Sequence, residues 1–126
     1  MMSAWLAVAL GSALGGVARF AIARLWPTVP TGWPLATMAV NVIGSFAIGW
    51  CAAFFAARVV AGEASETLRL FWMTGVLGGF TTYSAFALET VTLASTGATV
   101  RAAGYVIVTV VLCVAAAAAG RALGPG

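Results

Sequence analysis

The residues best suited to handling an ion lie in Gly75-Val76-Leu77-Gly78-Gly79-Phe80-Thr81-Thr82-Tyr83-Ser84-Ala85-Phe86, a glycine-broken, threonine-bearing stretch inside an otherwise apolar segment. Glycine lets the backbone leave a helix at little steric cost. The spacing therefore predicts unwinding at Gly78-Gly79, with a threonine hydroxyl capping a second half-helix that starts near Tyr83. Unwinding frees carbonyl oxygens, hard ligands that match a desolvated Na⁺ or K⁺. Two such carbonyls from one chain make an incomplete shell, whereas two antiparallel copies meeting on a dyad supply four. A merely kinked helix packed with small residues accounts for the glycines but not for the adjacent threonines.

Other polar side chains sit at helical spacing within apolar runs. Asn41 lies in Val40-Asn41-Val42-Ile43-Gly44-Ser45, with Ser45 one turn further along the same face. A primary amide in hydrocarbon is costly unless it is bonded or faces water, and its two N–H donors suit a dehydrating anion; interhelical bonding is the other reading. Tyr83 and Phe86 are three apart, on one face, and each ring has a positively polarised edge that can hold a small anion without a fixed charge to trap it. Core packing explains the same pair. Tyr105, Thr109 and Cys113 form a weakly polar stripe that lines a pathway or bonds a neighbouring backbone. Glu89 is the one acid well inside an apolar segment; it either titrates in a proton-coupled step or accepts bonds from Thr90 and that stripe. Arg19, about a turn before the end of its helix, either snorkels to headgroups or binds a backbone carbonyl near a water-filled entrance.

These residues must be positioned by membrane helices. Of 126 residues, 63% are hydrophobic and 7% charged, too apolar for a soluble domain of this size. A span needs roughly 20 apolar residues, and the chain offers four such stretches: Ala4 to Trp26, Leu35 to Arg58, Leu68 to Ala94 and Val100 to Ala122. They make one all-α integral membrane domain over residues 1–126, with helix 3 broken. The first run lacks a preceding basic residue and exceeds a signal-peptide core, so it is expected to remain as a span. Gly11 and Gly15 share one face of it and suit close helix packing, as does Gly16. Trp26 and Trp33 fit an interfacial belt, and Ser65 or Glu66 leads into helix 3.

Histidine is absent and all three acids are glutamates, which leaves few candidates for a metal cage or an acid–base catalyst; no enzyme is expected. Cys51 and Cys113 lie inside apolar segments and do not suggest a disulfide framework. All six basic residues are arginines, and they do not cluster as nucleic-acid binding requires. Across a four-helix topology, Arg58, Arg69 and Arg121 fall on one side and Arg19, Arg24 and Arg101 on the other. This balance gives the positive-inside rule nothing to act on, so the chain can insert both ways and pair as an antiparallel homodimer.

Taken together, Gly15-Gly16-Val17-Ala18-Arg19-Phe20, Asn41-Val42-Ile43-Gly44-Ser45-Phe46, and Gly75 to Phe86 resemble the Fluc (CrcB) family of fluoride channels, in order and spacing over nearly the whole chain. The resemblance implies a dual-topology antiparallel homodimer in the cell inner membrane, with two pores for passive fluoride efflux that lowers intracellular fluoride toxicity. It places Asn41, Tyr83 and Phe86 in the pore, matches Arg19 to the family's first-helix motif, and likens Glu89 with Thr109 and Cys113 to a polar track beside the pore; joined to the spacing above, this makes Asn41, Tyr83, Phe86, Thr109 and Cys113 the expected pore residues, with Arg19, Ser45, Glu89 and Tyr105 associated with it. It also implies a structural Na⁺ at the dimer centre, held by the backbone carbonyls of Gly78 and Thr81. The sequence departs from the family pattern at Tyr83, usually Phe, at Ala85, often Thr, and at Cys113, more often Ser. A small dual-topology multidrug exporter is the runner-up, but it needs a carboxylate deep in helix 1, which this chain lacks. A non-transporting assembly subunit would leave Asn41, the broken helix and the helix 4 stripe without a common purpose.

Overall fold

A computed structural model describes residues 2–125. Three unbroken helices, α1 (Ala4–Leu25), α2 (Leu35–Val60) and α6 (Thr99–Leu123), are each long and apolar enough to cross a membrane. With 26 residues, α2 spans about 39 Å at 1.5 Å per residue, more than the roughly 30 Å hydrocarbon core. The third crossing is assembled from pieces: α3 (Glu66–Arg69), a π-helical stretch (Leu70–Leu77), α4 (Gly78–Phe80) and, after an interruption, α5 (Tyr83–Ser95). The chain is a multi-pass, all-helical membrane protein.

Local chemistry sets the helix ends. Ser3 caps α1 by accepting from Leu6 N–H at 3.2 Å, and Ser65 caps α3 by accepting from Leu68 N–H at 3.0 Å. At the far end of α2 the chain turns through Gly62 (φ 74°), with Glu63 N–H reaching back to the Arg58 carbonyl at 2.9 Å. The end of α5 repeats this at Gly97 (φ 85°), where Ala98 N–H donates to the Leu93 carbonyl at 2.9 Å. In both turns glycine takes the left-handed position that closes the last helical turn.

The helices pack chiefly as two pairs, α1 against the first half of the third crossing and α2 against α6, with α5 also on α6. Glycines bring the backbones together. A Cβ on Gly11 would sit 2.5 Å from the Phe71 carbonyl oxygen and 2.9 Å from Gly75 Cα, and one on Gly15 would land on the Val76 carbonyl oxygen. In the other pair, a Cβ on Gly49 or Gly120 would strike the Ala117 or Phe46 carbonyl. Such contacts bring helices close enough for backbone dispersion to hold them where no hydrophobic drive exists. Gly16 does not take part; its Cβ position meets nothing.

The connectors sort to two ends. Arg101 donates to the Thr31 carbonyl, tying the first turn of α6 to the first connector, while Arg58 Nη1 donates to the Pro125 carbonyl at 3.4 Å, tying the end of α2 to the C-terminal residues.

Candidate functional site

The break falls later than the glycines. Gly78 and Gly79 are helical, and the extended residues are Thr81 (φ −82°, ψ 161°) and Thr82 (φ −150°, ψ 124°). The reason lies in where the backbone groups find partners. Thr82 Oγ1 accepts from Ala85 N–H at 3.2 Å and caps α5, so the half-helix begins at Tyr83. Thr82 N–H, which in a continuous helix would close onto the Gly78 carbonyl, donates to Asn41 Oδ1 at 2.8 Å, and Asn41 Nδ2 donates to the Thr82 carbonyl at 3.0 Å. One side-chain amide thus pairs with one backbone residue as a neighbouring strand would, meeting the requirement that freed backbone groups at membrane depth be satisfied. Gly44, almost one turn after Asn41, lets Thr81 seat against α2, since a Cβ there would overlap Thr81 Cγ2. Gly79 serves helix approach instead of unwinding: its Cβ would lie 2.5 Å from the Ser12 carbonyl oxygen.

A groove of about 310 Å³ runs along this break. Helix α2 contributes Asn41, Gly44, Ser45 and Ile48, one helical face; the third crossing contributes Gly78, Thr81, Thr82, Tyr83 and Phe86; α6 contributes Thr109, Val110 and Cys113. No charged side chain lines it. Phe86 is 8% exposed and Tyr83 81% exposed, with ring centroids 5.7 Å apart and planes at 60°. Tyr83 therefore stands on the open rim and Phe86 at the wall. Thr109 is 4% exposed, and its Oγ1 has no hydrogen-bond partner among the described residues. An unmet buried hydroxyl costs about 1–3 kcal/mol, and this oxygen is covered although its residue borders the groove.

The stripe on α6 divides. Thr109 and Cys113 face the groove, but Tyr105 is 0% exposed and does not line it. Phe86 covers Tyr105, with ring centroids 5.1 Å apart, and the Tyr105 hydroxyl donates to Glu89 Oε2 at 2.7 Å. Thr37 Oγ1 donates to the other carboxylate oxygen, also at 2.7 Å. Thr90 does not bond Glu89; its hydroxyl donates to the Phe86 carbonyl at 2.8 Å, in the same helix. Beyond Thr82, a second cavity of about 130 Å³ is lined by Thr37, Glu89 and Arg19. Arg19 Nε donates to the Gly79 carbonyl at 3.2 Å, so this side chain grips the last turn before the break.

The cation expectation rests on oxygen ligands. With Thr82 N–H turned to Asn41, the Gly78 carbonyl loses its helical donor; Thr81 N–H still closes the last turn onto the Leu77 carbonyl at 3.1 Å, but the Thr81 carbonyl has lost its own helical donor, since Ala85 N–H goes to Thr82 Oγ1. Neutral carbonyl oxygens of this kind suit a hard monovalent ion. A Cβ on Gly78 would meet only the Met73 carbonyl oxygen, at 3.8 Å, so this face of the break is open within the subunit. No group of three His, Cys, Asp or Glu side chains is assembled among the described residues.

The sequence profile of the family described as "CrcB-like protein, Camphor Resistance (CrcB)" matches residues 6–121. The chain belongs to this family. It is 45% identical to the "Fluoride-specific ion channel FluC" of Paracoccus denitrificans over 100% of this chain and 98% of that protein. It is 46% identical to the protein of that name from Hyphomonas neptunium, over 91% and 90% of the two chains, and 47% identical to that from Opitutus terrae, over 91% and 87%.

In this CrcB-like chain, reading the sequence missed Thr37 as a ligand of Glu89. The signal was present: Thr37 precedes Asn41 by four residues and shares its face of α2. Gly44, read only as part of a motif, proves to be what lets the break approach α2.

Proposed function

We propose that this chain is a fluoride-selective channel through which the ion leaves the cell passively across the inner membrane, lowering fluoride toxicity. One observation carries the reading: Asn41, Tyr83, Phe86, Thr109 and Cys113 meet in a single uncharged groove beside a helix break, in a chain whose full-length relatives bear the name fluoride channel. Fluoride is small and strongly hydrated, so a path for it must replace the hydration shell with donors. Asn41 has a second N–H beyond the one given to Thr82, and the rings have their polarised edges. No fixed positive charge lines the groove to hold the anion in place.

The working unit is an antiparallel homodimer with two such paths. Tyr83 on the open rim, the unfilled space over Gly78 and the even split of arginines between the two ends all favour a second, inverted copy closing the groove. In that unit the carbonyls of Gly78 and Thr81 from each copy hold a structural Na⁺, which supplies fixed positive charge where the copies meet.

The reading is tested with liposomes that contain only the purified protein. Fluoride leaves down its own gradient and voltage, and chloride does not. Efflux that follows an imposed proton gradient at fixed stoichiometry would overturn the channel in favour of an exchanger.

A further inference from the structure

Tyr105 is fully buried and stays out of the groove, yet its ring lies directly behind a residue of the groove wall. Phe86 sits between two rings, Tyr83 at 5.7 Å on the open rim and Tyr105 at 5.1 Å on the closed side. The Tyr105 hydroxyl donates to Glu89 Oε2 and Thr37 Oγ1 donates to Glu89 Oε1, each at 2.7 Å. These two bonds tie α6 to α5 and α5 to α2. Glu89 follows Phe86 by three residues, so both side chains leave α5 on one face. Ring, ring and carboxylate therefore form a closed triangle that runs back through one turn of α5. Leu93 and Ala102 fill the space around it, but apolar packing has no preferred direction, whereas a hydrogen bond does.

We propose that Tyr105 is a positioning residue: anchored through Glu89 to Thr37, it holds the Phe86 ring in the orientation that presents its edge to an anion in the groove. Direction matters because the edge of an aromatic ring is positive and its face negative. A turn of the Phe86 ring that brought its face to the groove would replace attraction by repulsion. Tyr83, exposed on the rim, cannot prevent that turn, so the restraint comes from behind. The effect on transport rests on the proposed fluoride path; the restraint on the ring does not.

The test places the full-length protein, labelled with ring-¹³C phenylalanine, in lipid nanodiscs and reads the flip rate of the Phe86 ring by NMR, with its signal identified by loss in Phe86→Leu. Fluoride flux is measured on the same variants in liposomes. Tyr105→Phe keeps the ring and deletes only the hydroxyl. It is expected to speed the Phe86 flip roughly 3- to 20-fold, the range that one hydrogen bond between membrane helices corresponds to, and to lower flux several-fold. Thr37→Val changes both readouts in the same direction, and Thr37→Ser, which keeps the hydroxyl, restores them. A lowered melting temperature in Tyr105→Phe with unchanged ring motion would make Tyr105 merely structural and overturn the proposal. Reduced flux with unchanged ring motion overturns it as well, since Tyr105 would then act on the ion without Phe86. A mobile ring with native flux removes the link to transport. If the parent protein carries no fluoride, the channel reading fails on its own, and the restraint still stands or falls on the ring motion.

Discussion

Removing the Asn41 side chain tests whether one amide holds the break in shape. In Asn41→Ala the Thr82 N–H loses its acceptor at 2.8 Å and the Thr82 carbonyl its donor at 3.0 Å, and continuing the helix would sacrifice the Thr82 cap on α5. Hydrogen bonds between membrane helices contribute about 0.6 kcal/mol on average and up to about 1.7. A buried group left unpaired costs about 1–3 kcal/mol. The Thr82 groups are partly buried and border a groove, so water recovers some of that loss and the two bonds together are worth about 2 kcal/mol. That energy corresponds to a roughly 30-fold rise in the open population at the break. Hydrogen exchange at the Thr82 amide reads this rise directly, and fluoride flux from liposomes reads its consequence. Asn41→Asp separates the two bonds: it keeps an acceptor for Thr82 N–H but places a second oxygen against the Thr82 carbonyl. The Thr82 amide then stays protected while flux falls, because a carboxylate in the groove also repels the anion. Native exchange at Thr82 together with native flux in Asn41→Ala would refute the clamp.

Phe86→Ile keeps apolar bulk but removes a ring packed between Tyr83 and Tyr105, and it is expected to abolish most fluoride flux with the dimer intact; Tyr83→Phe, which deletes an exposed hydroxyl, retains flux in the same assay. Gly15→Ala drives a methyl onto the Val76 carbonyl and lowers the thermal stability of the subunit, whereas Gly78→Ala has room within the subunit and weakens only the pairing of two copies, as measured by dimer dissociation in detergent. Thr82→Ala removes the cap on α5 at a cost of about 1 kcal/mol, while Thr82→Ser preserves it, so thermal melts should rank Ser above Ala. Verified replacement of Na⁺ by a large organic cation is expected to inactivate flux or loosen the dimer; unchanged flux and dimerisation would remove the central ion from the mechanism.

By itself the sequence determined what depends on composition and near neighbours. Apolar runs of spanning length dictate helices that cross a bilayer, Ser3, Ser65, Gly62 and Gly97 set where helices begin and end, and Thr82 caps the half-helix at Tyr83, because each of these interactions closes within a few residues. Asn41 and Glu89 were visible as polar groups too costly to leave alone in hydrocarbon, but not their partners. Only the tertiary structure decided those. The break moves from the glycines to Thr81 and Thr82 because the acceptor for Thr82 N–H comes from 41 residues away. Glu89 is held by Thr37 from one helix and Tyr105 from another, which withdraws Tyr105 from the groove that Thr109 and Cys113 line. Gly78 and Gly79, neighbours of the same type, differ because one faces open space and the other the backbone of Ser12. Which group satisfies a buried donor, and which side of a helix meets a neighbour, is fixed by how the helices approach one another, and local spacing along the chain does not encode that.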